Sequence, residues 1–185
     1  HKRIIFNGNG YSKEWIEEAA QRGLKNIPST IEAISAYTED SSVSLFEKHH
    51  VFSRKELESR YQIALEGYIK QLNIEAMTMI DIAKRQILPA SVKYAHELAQ
   101  TVNSVREASG EASTETYREL LRDVVEKTSE FNLKLKSVES ALNEAQGAER
   151  ASYRKALLYK DHVLKGMQRL RESGDQLEEI VDSKL

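Results

Sequence analysis

One apolar stripe at helical spacing runs through nearly all of residues 53–105, and everything else in the chain has to fit around it. Leu57, Tyr61, Leu65, Tyr68, Leu72, Ala76, Met79, Ala83 and Ile87 recur at steps of three or four, the period of a single helix face. Ser53 and Glu56 stand three apart at its head, where each can bond the other's backbone amide as a capping box. From Ser53 to Leu88 such a helix would be roughly 50 Å long at ~1.5 Å per residue, so it reads as a spine. Pro89 interrupts it, because the ring removes one amide donor and crowds the carbonyl of Arg85. The stripe resumes with Val92, Ala95, Leu98, Val102 and Val105, which predicts a kink or a short break within a turn of Arg85 and a helix that continues beyond.

After a loop at Ser109–Thr114, the residues Tyr117, Leu121, Val124, Thr128, Phe131, Leu135, Val138, Leu142 and Ala145 alternate steps of four and three, a heptad seam. Gly147 can end that helix. A second seam carries Tyr153, Ala156, Val163, Met167, Leu170, Leu177 and Val181, broken by Lys160 and Gly174. Two long helices joined by so short a turn run antiparallel. The expected fold is all-α: a long proline-kinked helix plus an antiparallel, coiled-coil-like helical hairpin, together a three-helix bundle, with short helices at the N-terminus. Met77 and Met79, on the spine, read as core filling.

The first fifty residues are less regular. His1–Phe6 reads as the tail of an element that begins outside this sequence, and Asn7-Gly8-Asn9-Gly10 as a turn. Ser12 can cap a helix from Lys13 to about Arg22, with Gly23 as its stop. Ser29 and Glu32 form a capping box ahead of Ile31, Ile34 and Tyr37, and Ser41 or Ser42 begins a further turn carrying Val43, Leu45 and Phe46.

Only two prolines and eight glycines punctuate 185 residues, which favours long elements over many short strands. With 27 basic and 29 acidic residues interspersed, the chain offers no basic stripe for nucleic acid and no polybasic anchor for a membrane. It has no run of about 18 apolar residues and reads as soluble. The lack of cysteine excludes disulfides and thiolate chemistry and fits a reducing cytosol. A start on histidine suggests a processed chain or a piece of a larger one.

Candidate chemical motifs are weak. Gly8-Asn9-Gly10 lacks the third glycine and the lysine of a phosphate loop. His96-Glu97-Leu98-Ala99-Gln100 has glutamine where a zinc protease helix needs its second histidine. His49 and His50, being adjacent, point apart. The carboxylate pairs Glu17-Glu18 and Glu178-Glu179 read as solvated helix faces. We therefore assign no catalytic, cofactor-binding or metal-binding residue.

The residues themselves carry a resemblance. His1 to Ser12 (HKRIIFNGNGYS), Glu14-Trp15 and Arg22-Gly23-Leu24 resemble the late region of type III glutamine synthetase. So do Leu45-Phe46-Glu47-Lys48-His49, Val51-Phe52, Ser59-Arg60-Tyr61, Asn73-Ile74-Glu75-Ala76, Met79-Ile80 and Ile87-Leu88-Pro89-Ala90, and the match covers the whole chain. More broadly, Ile27–Ala33, Leu45-Phe46 and Val51-Phe52 resemble the end of the catalytic domain in glutamine synthetases of every type. From about Lys70 the chain is similar to the type III branch alone, and Asp175–Asp182 resembles the segment before that branch's aromatic C-terminal tail.

The resemblance implies two parts: 1–69, the end of the catalytic domain, and 70–185, a type III-specific helical extension. It implies a cytoplasmic enzyme of nitrogen metabolism that ligates ammonia to glutamate with ATP and Mg2+ or Mn2+, through a γ-glutamyl phosphate, in a double-ringed homo-oligomer. The active-site motifs precede His1, so this part is expected to be inactive alone and to serve assembly or regulation. The other reading of the same residues is a free-standing helical protein-protein interaction module.

Overall fold

The computed structural model describes residues 5–148 and 152–182. Among these the chain is helical throughout its regular elements, with no strand, and it divides into two compact units, His1–Ala64 and Leu65–Leu185.

The first unit is built from short helices: α1 (Lys13–Gln21), α2 (Thr30–Ser35), α3 (Asp40–Lys48) and the start of α4 (Arg54–Ile82). Their ends follow from local chemistry. Ser12 Oγ accepts from the Trp15 amide (3.4 Å), Ser29 Oγ from Glu32 (3.4 Å) and Ser53 Oγ from Glu56 (3.4 Å), while Glu56 Oε2 accepts from the Ser53 amide at 2.8 Å. The last two bonds complete the capping box read from the sequence. That acceptance holds the Glu56 carboxyl below its usual range, the Ser53 amide being the first cause and its hydroxyl the second. Gly23 takes a positive φ of 73° just past α1, as a helix stop requires. α3 begins earlier than Ser41 or Ser42: Glu39, extended at ψ 139°, precedes its first turn without a side-chain cap. Ile31, Ile34 and Val43 are buried, whereas Tyr37 is exposed. The reading of His1–Phe6 falls largely outside the described residues.

The second unit takes the rest of α4 and then α5 (Leu88–Ser109), α6 (Glu115–Gly147), α7 (Tyr153–Leu158) and α8 (Lys165–Glu178). Pro89 does not stop the spine. A π-turn over Ala83–Ile87 joins α4 to α5, with the Leu88 amide donating to the Ala83 carbonyl, so the wider turn accommodates the helix around the proline. Pro89 then sits in the first turn of α5, where a missing amide costs least. This extra residue per turn shifts the stripe. Ser91 is buried and bonds the Ile87 carbonyl (2.9 Å), whereas Val92, expected on the core face, is 57% exposed.

In α6, Val124, Phe131, Leu135, Val138, Leu142 and Ala145 are buried as the heptad requires, while Tyr117 at its start is exposed. α6 packs against both α5 and α8. Three contacts give the direction. Lys155 Nζ donates to the Gln146 carbonyl, Gly166 lies against Val138 and Gly174 against Phe131, so numbers rise along one helix as they fall along the other. The hairpin is antiparallel. At Gly166 a Cβ would stand 3.3 Å from Val138 Cγ2, a tight approach that the missing side chain relieves. A second π-turn, Tyr159–Leu164, precedes α8 and brings Tyr159, not Lys160, into the core at 1% exposure. Residues 149–151 of the turn lie outside the described residues.

Candidate functional site

The motifs weighed in the sequence are occupied by local structure. In the Gly8-Asn9-Gly10 turn, Asn9 accepts twice: Oδ1 from the Tyr11 amide and its carbonyl from the Ser12 amide, both at 3.0 Å. Gly8 is dictated by contact, since a Cβ there would lie 2.6 Å from the Phe6 ring. That ring stacks on Trp15 with centroids 4.5 Å apart, and Arg22 lies over the other aromatic partner, 5.5 Å from the Trp15 centroid, while donating to the Ile5 carbonyl. The result is an aromatic clasp.

His49 and His50 end α3. The His50 amide donates to Glu47 O (3.0 Å) and the Val51 amide to Phe46 O (2.9 Å), the paired bonds of a Schellman motif, with His50 at φ 53° in the place glycine usually takes. Glu47 beside them accepts from the Arg54 amide (3.1 Å), so the carboxylates near these imidazoles serve as caps. His96 is exposed on α5, and Glu97 pairs with Lys93 at 3.9 Å. Glu18 pairs with Arg22, and Glu178 and Glu179 are exposed at the end of α8. Among the described residues no group of three or more His, Asp or Glu side chains could hold a metal ion.

What the second unit brings together is a surface. A polar node links three helices: Tyr159 Oη and Gln146 Nε2 both donate to Asn73 Oδ1, at 3.0 and 2.8 Å. Burial raises the Tyr159 hydroxyl above its ordinary range. Below the node, a groove of about 510 Å³ opens between α4 and α8, with Phe131 of α6 at its floor and Ile74, Met79, Ile82, Ile87 and Leu170 along its walls. It continues into a second hollow of about 410 Å³, which shares Ile87 and Glu178 and reaches Ser91 and Asp182. Ile74 is 60% exposed beside it. The methionines read as core filling belong to this surface instead: Met79 lines the groove and Met77 is 53% exposed. The sequence reading missed the groove because its walls are formed by residues about ninety positions apart.

Comparison with known proteins adds what geometry leaves open. The profile of the glutamine synthetase C-terminal domain matches residues 1–106. The chain is 34% identical over 192 residues to the type-3 glutamine synthetase of Dictyostelium discoideum, covering 100% of this chain and 25% of that protein. It is 31% identical over 188 residues to a glutamine synthetase of Butyrivibrio fibrisolvens (100% and 26%) and 30% identical over 186 residues to one of Bacteroides fragilis (98% and 25%). The chain thus spans about a quarter of the length of the curated relatives it matches.

Proposed function

The chain belongs to the glutamine synthetase family, through its C-terminal domain, and we propose that it is the C-terminal part of a type III enzyme whose helical extension serves assembly. The observation that carries this is the extent of the similarity. The profile ends at residue 106, but the three relatives, one of them named a type-3 enzyme, match through α6 to α8 as well. The hairpin is therefore shared with those enzymes, which favours an enzyme's C-terminal part over a free-standing interaction module.

On this reading residues 1–69 complete the catalytic domain and residues 70–185 form the extension. The whole protein is a cytoplasmic homo-oligomer that ligates ammonia to glutamate with ATP and a divalent metal. Phosphoryl transfer needs metal-held phosphates and converging cations. The residues described here do not fit those groups. Glu47 and Glu56 are spent on backbone amides, and Glu18, Asp175 and Glu97 on ion pairs along single helices. No reaction step is assigned to them, and the isolated chain is expected to be inert.

Two measurements test this. Calorimetric titration of the 185-residue chain with ATP and magnesium should give no saturable heat; a micromolar dissociation constant would place nucleotide chemistry here. In the whole enzyme, deleting the residues after Pro89 should change its size by sedimentation. Unchanged assembly with abolished turnover would sink the assembly reading in favour of a direct catalytic part.

A further inference from the structure

The groove of the second unit is apolar within and acidic at its edge. Among the described residues that line it, Glu75, Asp175 and Glu178 stand against one cation, Arg171, whose Nε is already bonded to Asp175 Oδ1 at 2.6 Å. From Ile74 to Ser91 its wall is roughly 25 Å long at ~1.5 Å per residue, the span of a helix of four to five turns and too long and open for a small molecule. One wall includes the π-turn Ala83–Ile87, a distortion that recurs at functional sites. Two grooves cannot face each other well, because that would set carboxylates against carboxylates.

A complementary surface exists on the opposite face of α6. Arg122, Val125, Ser129, Leu133 and Lys136 follow at steps of three and four, so they share one face, turned away from the buried Phe131. Leu133 is 67% and Val125 48% exposed among the described residues, two large apolar side chains on one outward face. A cation stands at each end of the stripe, Arg122 and Lys136, with the exposed Glu126 as the carboxylate between them on that face. Arg122 to Lys136 spans roughly 21 Å at ~1.5 Å per residue, close to the length of the groove.

We propose that the outer face of α6 of one copy, from Arg122 to Lys136, docks into the groove between α4 and α8 of a second copy. Such an interface joins two different surfaces, so it repeats from copy to copy and closes into a ring or runs on as a filament. The inference rests on the assembly reading and names the surfaces that would perform it. Apolar contact comes from Leu133 and Val125 against Ile74, Ile82 and Met79; Arg122 and Lys136 meet the acidic edge, which sets the register.

The test uses the full-length protein in a cysteine-free background. One preparation carries Ile82→Cys and another Leu133→Cys, and after mixing and subunit exchange a short bis-maleimide should link the two variants to each other and neither to itself. Arg122→Glu with Lys136→Glu should weaken subunit association about tenfold or more, and adding Glu75→Lys with Glu178→Lys should restore most of it, as expected of paired charges. Linkage of Ile82→Cys to its own kind would mean a groove-to-groove contact and overturn the proposal. Groove variants that dissociate the protein while Leu133→Cys goes unlinked would assign the groove to a segment outside these 185 residues. If charge reversal changes nothing yet deletion after Pro89 still disrupts assembly, this interface is wrong and the assembly reading survives; if the deletion is also silent, both fail.

Discussion

The two units spend their apolar residues differently. In the second, Val124, Phe131, Leu135 and Val138 of α6 meet Tyr159, Val163, Leu170 and Leu177 of the returning strand of helix, and all eight are buried. In the first, Ile31, Ile34, Val43 and Leu57 are buried while Tyr11, Ile16, Leu45 and Val51 remain exposed. Short helices cannot line up a long seam, so the first unit leans on local devices: two serine caps, the capping box at Ser53, the Phe6 and Trp15 stack, and Arg60 lying 4.1 Å above the Phe52 ring. Long helices in register can bury a side chain every half heptad, each contributing ~1.5–3 kcal/mol. The bundle is held by repetition, the other unit by punctuation.

The strongest way to break this contrast is Phe131→Ala. Phe131 is 1% exposed, packs on α8 at Gly174 and floors the groove, so its loss should cost ~3–5 kcal/mol. Lys134→Ala, off the seam with its side chain partly covered and paired with the half-exposed Glu130 at 2.5 Å, should cost no more than ~1 kcal/mol. Denaturant melts followed by hydrogen exchange would decide it: amides of α6 and α8 should lose protection while those of α2 and α3 keep theirs. Equal effects of the two substitutions would remove the heptad assignment.

The way these features reached the sequence explains what could be read from it. Caps are local, so Ser12, Ser29 with Glu32, and Ser53 with Glu56 were legible, as was the stripe from Leu57 to Ile87, since a helix repeats its exposure every turn. Both π-turns were hidden. One extra residue in a turn changes the hydrogen-bond register without changing residue types, which is why the period points to Val92 and Lys160 where the structure buries Ser91 and Tyr159. The groove was illegible for another reason: its lining comes from three helices, and no pattern along one helix encodes the distance to its neighbour. Thr128 shows the same limit, a seam position whose Oγ1 is buried without a hydrogen-bond partner.

A smaller effect sharpens the contrast at the node joining α4, α6 and Tyr159. Tyr159→Phe removes one bond to Asn73 Oδ1 while Gln146 still donates to it, so the cost near neutral pH should be ~1 kcal/mol. The pH dependence has a definite sign. Burial raises the folded-state pKa of Tyr159, so the stability it contributes is fully present below the unfolded value of about 10 and is lost as pH rises from there through the folded value. The Phe variant should lose stability less steeply over that alkaline range. A slope identical to the parent would mean that Tyr159 is not buried as the bundle requires.

The smallest expected effect belongs to the first unit and runs the other way. His50 closes α3 in the left-handed region, φ 53°, where a Cβ costs roughly 1–2 kcal/mol and glycine costs nothing sterically. Glycine loses more chain entropy on folding, which returns ~0.5–1 kcal/mol of that relief. His50→Gly should therefore stabilise by ~0.5–1 kcal/mol, seen as a higher melting midpoint with stronger exchange protection at the Val51 amide, which bonds Phe46 O. Protection in α6 and α8 should not move, because the change acts on a single turn in the unit that is held by turns. A loss of stability instead would show that the imidazole itself holds the cleft it lines with Val51, Phe52 and Glu56. The first unit would then depend on side-chain packing at that point, and the division between repetition and punctuation would fail where it was drawn most sharply.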